Sequence, residues 1–206
     1  MIQTIAGRPV SRETLARLNI FETEFLKWAT RINLVAPSTL DDFRKRHILD
    51  SAQILDLAPH CRSVIDLGSG GGFPGLNLAI LLADTEGANI QLIESNGKKC
   101  AFLRHITRTL NLPAMVHNKR IEDVIGDLPP PDIITARALA PLAQLLQLAL
   151  PQLARSVPAY FHKGRDHMRE IEAARSEFKF DLVAHSSGID AESVILEIRN
   201  VKPAAA

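Results

Sequence analysis

Residues 66–75 read Asp-Leu-Gly-Ser-Gly-Gly-Gly-Phe-Pro-Gly, five glycines in ten positions directly after an apolar run. Glycine at that density sacrifices backbone order, which is useful only where another group must approach the main chain. Two carboxylates accompany the loop: Asp66 ahead of its first glycine, and Glu94 at the end of the next apolar run, "NIQLIES". A carboxylate at the end of a second strand can accept hydrogen bonds from ribose hydroxyls, so the combination reads as a nucleotide-type ligand site.

Which ligand depends on the register. Gly70, Gly72 and Gly75 spell G-x-G-x-x-G, the dinucleotide pattern, which places a pyrophosphate at a helix N-terminus. Asp66 is poorly suited to that anion. In the other register Asp66 is followed by Gly68, Gly70 and Gly72, an acid-x-G-x-G-x-G loop. A carboxylate there suits a cofactor bearing an ammonium and a sulfonium, such as S-adenosylmethionine. On the residues alone three readings stay open: S-adenosylmethionine, which Asp66 favours; a nicotinamide or flavin nucleotide; and a tight turn in which Asp66 is a structural strand-end carboxylate.

The elements that must position these groups follow from periodicity. Leu18, Phe21, Phe25, Trp28 and Ile32 recur at three- and four-residue steps, one face of a helix. In "PSTLDDF", Pro37 breaks that helix, Ser38 can cap the next, and Asp41 is its capping-box partner. A helix then carries "FRKRHILDSAQILDLA". From residue 63 strands alternate with helices: "SVIDLG", "NIQLIES", "AMVHN", "DIITARA" and "AYFHKG", a parallel sheet covered on both faces. "FDLVAHSSG" and "ESVILEIRN" have no helix between them and predict an antiparallel C-terminal hairpin at one edge. The expectation is α/β, a Rossmann-like, mostly parallel sheet over 61–206, with an N-terminal helical cap over 1–60. The ends, "MIQTIAGRP" and "KPAAA", read as frayed.

"NLV" near Trp28, "RHILDS", "DLGSGGGFPG", "ESNGKKCAFL" and "ARALA" occur in this order over nearly the whole chain. In this the chain resembles the bacterial 7-methylguanosine methyltransferases of small-subunit (16S) ribosomal RNA, also called the glucose-inhibited division protein B family. The resemblance implies a class I S-adenosylmethionine-dependent methyltransferase acting on a guanosine of the decoding-region loop. It implies cofactor contacts at Gly68, Phe73, Ile121 with Glu122, and Arg137. Phe73 can pack on the cofactor from the loop, Ile121 and Glu122 can wall the adenine, and Arg137 can engage the methionine carboxylate or an RNA phosphate. Asn77 stands where the family often has proline, and "DAESVILEIRN" lacks an arginine that many relatives carry before the last strand.

The target atom is consistent with what is missing. Cytosine-ring methylation needs a thiolate, and Cys61 and Cys100 lie before the first strand and inside a helix. Adenine-amine methylation often uses an Asn- or Asp-Pro-Pro-aromatic stretch after the fourth strand, where this chain reads "TARALAP"; its "LPPPD" is a loop ahead of that strand. Guanine N7 needs neither device, and no acid-base catalyst is assigned.

The formal net charge is only +1, yet the charges are segregated. No acidic residue lies between Glu94 and Glu122, or between Asp132 and Asp166. Arg44 and Arg46, Lys98 and Lys99, and Lys163 and Arg165 are the expected RNA contacts around the cleft. His47 and Asp50, about a helical turn apart, either touch substrate or pin the cap to the sheet. Cysteine usage points to a cytoplasmic location, no apolar run spans a membrane, no histidine spacing suggests a metal, and a monomer is the default. Rival functions are a methyltransferase for another nucleic acid or for protein, a cofactor-binding sensor or ribosome-assembly factor without turnover, and a nicotinamide oxidoreductase.

Overall fold

The computed structural model describes residues 4, 5, 8–36 and 42–204; the proposed helix restart at Pro37, Ser38 and Asp41 lies outside them. The N-terminus holds a short antiparallel pair, β1 (Thr4–Ile5) and β2 (Arg8–Pro9), where fraying was expected. Its anchor is Ile5, which is buried in the core. Helix α1 (Arg12–Ala29) follows, capped by Ser11, whose hydroxyl accepts from the Thr14 N–H at 3.0 Å. Leu18, Phe21 and Phe25 are its buried stripe.

The expected long helix through "RHILDS" forms in pieces. Arg44–Leu49 is a π-helix, in which the Asp50 N–H donates to Lys45 O five residues back. Short helices α2 (Asp50–Ala52) and α3 (Ile54–Leu57) continue it. His47, Ile48, Asp50 and Ser51 are all buried, so this segment presents polar side chains inward as well as apolar ones.

Parallel strands β3 (Ser63–Leu67), β4 (Asn89–Ile93), β5 (Ala114–His117), β6 (Ile133–Arg137) and β7 (Ala159–Lys163) form the sheet. Helices α4 (Gly75–Leu81), α5 (Gly97–Thr109) and α6 (Leu142–Leu153) connect them. Helix α7 (His167–Glu177) leads to the hairpin of β8 (Phe178–Ser186) and β9 (Val194–Pro203). The order is β5-β4-β3-β6-β7-β9-β8, with β9 antiparallel to β7 and to β8, as the hairpin reading predicts. Helix α7 escapes the periodicity reading because only Ile171 and Ala174 of its residues are buried. Expected fraying at "KPAAA" is absent through Pro203, which closes β9; the Ala204 N–H donates to Glu177 O at 2.8 Å.

Residues alternate between two buried layers. Val64 and Ile133 face the layer shared with α1, α4 and α5, while Ile65, Ile134 and Ala136 face the layer under α6 and α7. The cap is continuous with the first layer. Five of the eight phenylalanines, Phe21, Phe25, Phe43, Phe73 and Phe102, form one cluster there. Ring centroids lie 4.7 Å apart for Phe25–Phe43 and 5.5 Å for Phe21–Phe73. Asn77, buried in α4, adds a polar tie by donating to Ile48 O at 3.0 Å.

The chain winds one way from β3 to β5 and returns to β6 on the other side of β3. The loops after β3 and β6 therefore diverge and leave a crevice at the C-terminal ends of the strands. Because cap and sheet share one aromatic cluster, Phe25→Ala should lower unfolding free energy by about 3–5 kcal/mol. Urea unfolding followed by circular dichroism measures it; a loss below about 1 kcal/mol would show the cap to be energetically separate.

Candidate functional site

The glycine loop leaves β3 at Leu67 and is shaped by its neighbours. Gly68 has φ +65°, and a Cβ there would meet the Leu139 side chain at 2.5 Å. Gly75 packs so closely on Asp66 that a Cβ would lie 2.5 Å from its Oδ2. Glu94 grips the loop from the side. Its Oε2 accepts from the Gly70 N–H at 3.0 Å, and its Oε1 from the Asn96 N–H at 2.7 Å. Asn96 in turn caps α5 by accepting from the Lys98 and Lys99 N–H groups.

Three adjoining cavities open along this edge. The first, about 290 Å³, is lined by Gly68, Gly70, Phe73, His47, Lys99 and Arg137 among others. The second, about 400 Å³, is lined by Gly68, Glu94, Ile121, Glu122 and Lys99, with Lys119 and Arg120 on its wall. The third, about 440 Å³, lies between the ends of β6 and β7 and includes Asp50, Arg137, His162, Lys163 and Glu170. Ala138 lines all three. Its φ of +51° is the left-handed region, unfavourable for a residue with a Cβ. Gly68 and Lys99 join the first two cavities, so a ligand spanning both passes over the first loop glycine.

The expected site residues separate into those at the cleft and those behind it. Gly68, Gly70, Phe73, Glu94, Ile121, Glu122 and Arg137 line the cavities. Phe73 does so while 7% exposed, its ring stacked on His47 at 5.0 Å. Gly72 does not line them; its position faces Leu76, which a Cβ would meet at 2.8 Å.

Asp66 requires a correction as a ligand contact. It is completely buried beneath the loop and lines none of the three cavities. Its Oδ1 accepts from the Thr135 hydroxyl at 2.7 Å. Burial pushes its carboxyl up to about 6, against the lowering influence of Thr135, Ser69 and Gly75, with nearby Glu94 adding to the rise. It braces β3 to β6 and sets the loop's entry.

Among the expected RNA contacts, Arg46 and Lys98 are exposed, Lys99 is half-buried at the cleft, and Arg165 is exposed in a 3.7 Å pair with Glu192. Such a pair holds its charges only loosely. Arg44 and Lys163 are each ion-paired within the protein. Arg44 is engaged by Glu22 and Asn19 on α1, clamping the π-helix to the first helix. Lys163, 9% exposed, donates to Ala140 O and Glu170 Oε2, each at 2.6 Å. Arg44 stays 42% exposed beside its partner, whereas Lys163 keeps one N–H free of protein acceptors.

Arg137 is likewise largely buried. One guanidinium nitrogen donates to Arg46 O at 2.8 Å and the other lies 3.4 Å from Asp50. Asp50 also accepts from Gln53 and Ser187, and its carbonyl meets His162 Nε2 at 3.2 Å. It thus pins the cap to β6, β7 and the C-terminal hairpin, the second of the two roles the sequence left open. His47 reaches the cleft; burial, then Arg137 and Arg46, push it down to about 4, so it is neutral at physiological pH. His162, Glu170 and Ala138 were not singled out from sequence. Only the polar inside of "AYFHKG" hinted at the first, and the other two depend on contacts between distant segments. No group of three or more His, Cys, Asp or Glu among the described residues is placed to hold a metal ion.

The raised Asp66 pKa has a sign. Native Asp66 keeps its proton up to about pH 6, whereas the unfolded chain releases it near the ordinary value of 3.8. Its contribution is full below about pH 4 and is lost as pH rises through 6. Asp66→Asn should remove that decline, seen as a flatter dependence of urea-unfolding stability between pH 4 and 6. An unchanged slope would show that Asp66 does not titrate there.

Comparison with known proteins places this geometry. The family model described as "GidB: rRNA small subunit methyltransferase G" matches residues 14–194. "Ribosomal RNA small subunit methyltransferase G" of Chelativorans sp. (strain BNC1) is 51% identical over 201 residues, covering 98% of this chain and 95% of that protein. The protein of the same name from Brucella canis is 52% identical over 193 residues, covering 94% and 91%. The fold is similar to that of an O-methyltransferase from Bacillus cereus crystallised with SAH, with TM-score 0.57, 13% identity, and coverage of 93% of this chain and 92% of that one. The fold is Rossmann-like, of the class I methyltransferase type, and the chain belongs to the GidB family of small-subunit ribosomal RNA methyltransferases.

Proposed function

We propose that this protein transfers a methyl group from S-adenosylmethionine to ring nitrogen 7 of a guanosine in the 16S RNA of the small ribosomal subunit, in its decoding-region loop. The observation that carries the reading is the pair of cavities meeting over Gly68, one lined by Glu94, Ile121 and Glu122 and the other by Phe73 and His47. Family membership supplies the substrate class.

The residues fit the cofactor. Glu94 has lone pairs left after holding Gly70 and Asn96, and these can accept from ribose hydroxyls. Ile121 offers an apolar wall for adenine and Glu122 an acceptor for its amine. Gly68 lines both cavities, so its backbone borders the strip over which the two halves connect. Bound there, S-adenosylmethionine supplies an electrophilic methyl group, and guanine N7 accepts it through an in-plane lone pair that carries no proton to remove.

The chain's contribution is then placement and charge. His47, held neutral by burial, adds no positive charge to the wall that faces a sulfonium. Phe73, seated in the aromatic cluster, fixes that wall to the cap. Exposed Arg46, Lys98, Lys119, Arg120 and Arg165 remain for RNA phosphates. A cap over 1–60 on a methyltransferase unit over 61–206, a monomeric state and a cytoplasmic location complete the proposal.

Incubation with methyl-labelled cofactor and unmethylated small subunits, naked 16S RNA, tRNA or DNA tests it. Label should be recovered as 7-methylguanine from small-subunit RNA. Label in adenine, cytosine or protein overturns the target, and absence of label favours a binding protein without turnover. Glu94→Ala should weaken cofactor binding about tenfold or more by calorimetry. Arg46→Ala, Lys98→Ala and Arg165→Ala together should reduce the slope of log affinity against log salt by about 2; an unchanged slope removes these three from the RNA footprint.

A further inference from the structure

The third cavity is distinguished by hydrogen-bonding capacity that the protein does not use. Lys163 has three N–H donors and spends two, on Ala140 O and Glu170 Oε2. Glu170 Oε2 accepts from Lys163 and from the Leu142 N–H at 2.8 Å, while no described residue donates to its Oε1. His162 Nδ1 is buried without a hydrogen-bond partner, and one Arg137 guanidinium nitrogen has only its 3.4 Å ion pair with Asp50. Burying polar groups unsatisfied is unfavourable, and folded chains rarely gather several on one wall. Here Lys163 with a spare donor, Glu170 with a spare acceptor and His162 with an unpartnered nitrogen line one space of about 440 Å³.

The cavity also has the right neighbour. It shares Arg137 and Ala138 with the cavity lined by the glycine loop and Phe73. A planar base held here has one edge toward that junction and another toward Lys163 and Glu170.

We infer that this cavity receives the guanine of the acceptor RNA, and that Glu170 and Lys163 read its Watson–Crick edge. The inference rests on the proposed methylation of guanosine N7. Guanine carries a carbonyl oxygen at position 6 beside an N1–H, followed by an exocyclic amine. The remaining Lys163 N–H donates to O6, and Glu170 Oε1 accepts from the N1–H side. Adenine reverses both groups, setting an amine against an ammonium and a ring lone pair against a carboxylate. N7 takes no part in either contact and stays free to face the junction at Arg137 and Ala138. The Lys163–Glu170 pair has a second effect. By binding Ala140 O and the Leu142 N–H it fixes the segment that separates base from cofactor, so the two readers are held by the same contacts that hold the junction.

The test measures methyl transfer to small subunits reconstituted with 16S RNA carrying guanosine, inosine or 2-aminopurine at the target position. Inosine keeps O6 and N1–H, whereas 2-aminopurine lacks both. For the unmodified enzyme, kcat/KM should be within about tenfold for inosine and at least about 50-fold lower for 2-aminopurine, relative to guanosine. Equal use of all three overturns the pocket, whatever the variants do. Glu170→Gln should lose about 50-fold or more in kcat/KM on guanosine while its S-adenosylmethionine affinity stays within threefold. Parallel loss of cofactor affinity and activity makes Glu170 structural and overturns its role as reader; full activity overturns it as well. If the unmodified enzyme fails to methylate guanosine subunits, the proposed function itself falls, which separates that failure from failure of the pocket.

Discussion

A loop built of glycines has no side chains with which to hold its own shape, so its conformation must be imposed from outside. Everything at this crevice depends on that constraint. Asp66 braces it from below, Glu94 ties its Gly70 amide from the side, and Phe73 anchors its far end among the phenylalanines of the cap. The three restraints differ in kind: a buried carboxylate, a charge-assisted hydrogen bond, and apolar packing. Together they let backbone come close to a ligand without leaving it free to wander.

The cap is therefore part of the site and not an appendage. Its π-helix turns His47 toward the cleft, and α2 opens with Asp50 beside Arg137 and His162. Asn77 and Arg44 secure that segment to α4 and α1. Residues from the cap, from β6 and from β7 thus meet at one node, and Ala138 lies beside it in a left-handed conformation. Strain of this kind persists where surrounding contacts over-determine the backbone. Here those contacts are the Lys163–Ala140 and Glu170–Leu142 hydrogen bonds that follow within four residues.

The fold is largely legible in the sequence. Alternation of apolar strands with amphipathic helices revealed the parallel sheet, and the missing helix between the last two strands revealed the hairpin. Helix α7 was not legible because its apolar stripe is two residues, too short to stand out against charged neighbours. The π-helix was not legible either, since its periodicity differs from an α-helix by a fraction of a residue over a single turn. At the site, Gly68, Phe73, Glu94, Ile121, Glu122 and Arg137 could be named from motif and position, and the structure gathers them on adjoining cavities.

Arg44 and Lys163, expected as RNA contacts, are each held by an acidic partner that the sequence does not announce. Whether a positive charge is available depends on which acidic group folding brings beside it. Glu22 and Glu170 reach them from other elements, and no spacing rule announces this. The choice left open for Asp66 is decided in a related way, because a strand-end carboxylate points to a ligand or to the next strand according to a side-chain rotation that Thr135 decides. Local periodicity, glycine placement and ordered motifs are properties of neighbouring residues, so the sequence alone determined the fold class, the loop and the family. Charge availability, cavity shape and the grouping of His162, Lys163 and Glu170 arise from contacts between distant segments, and only the tertiary structure decided them.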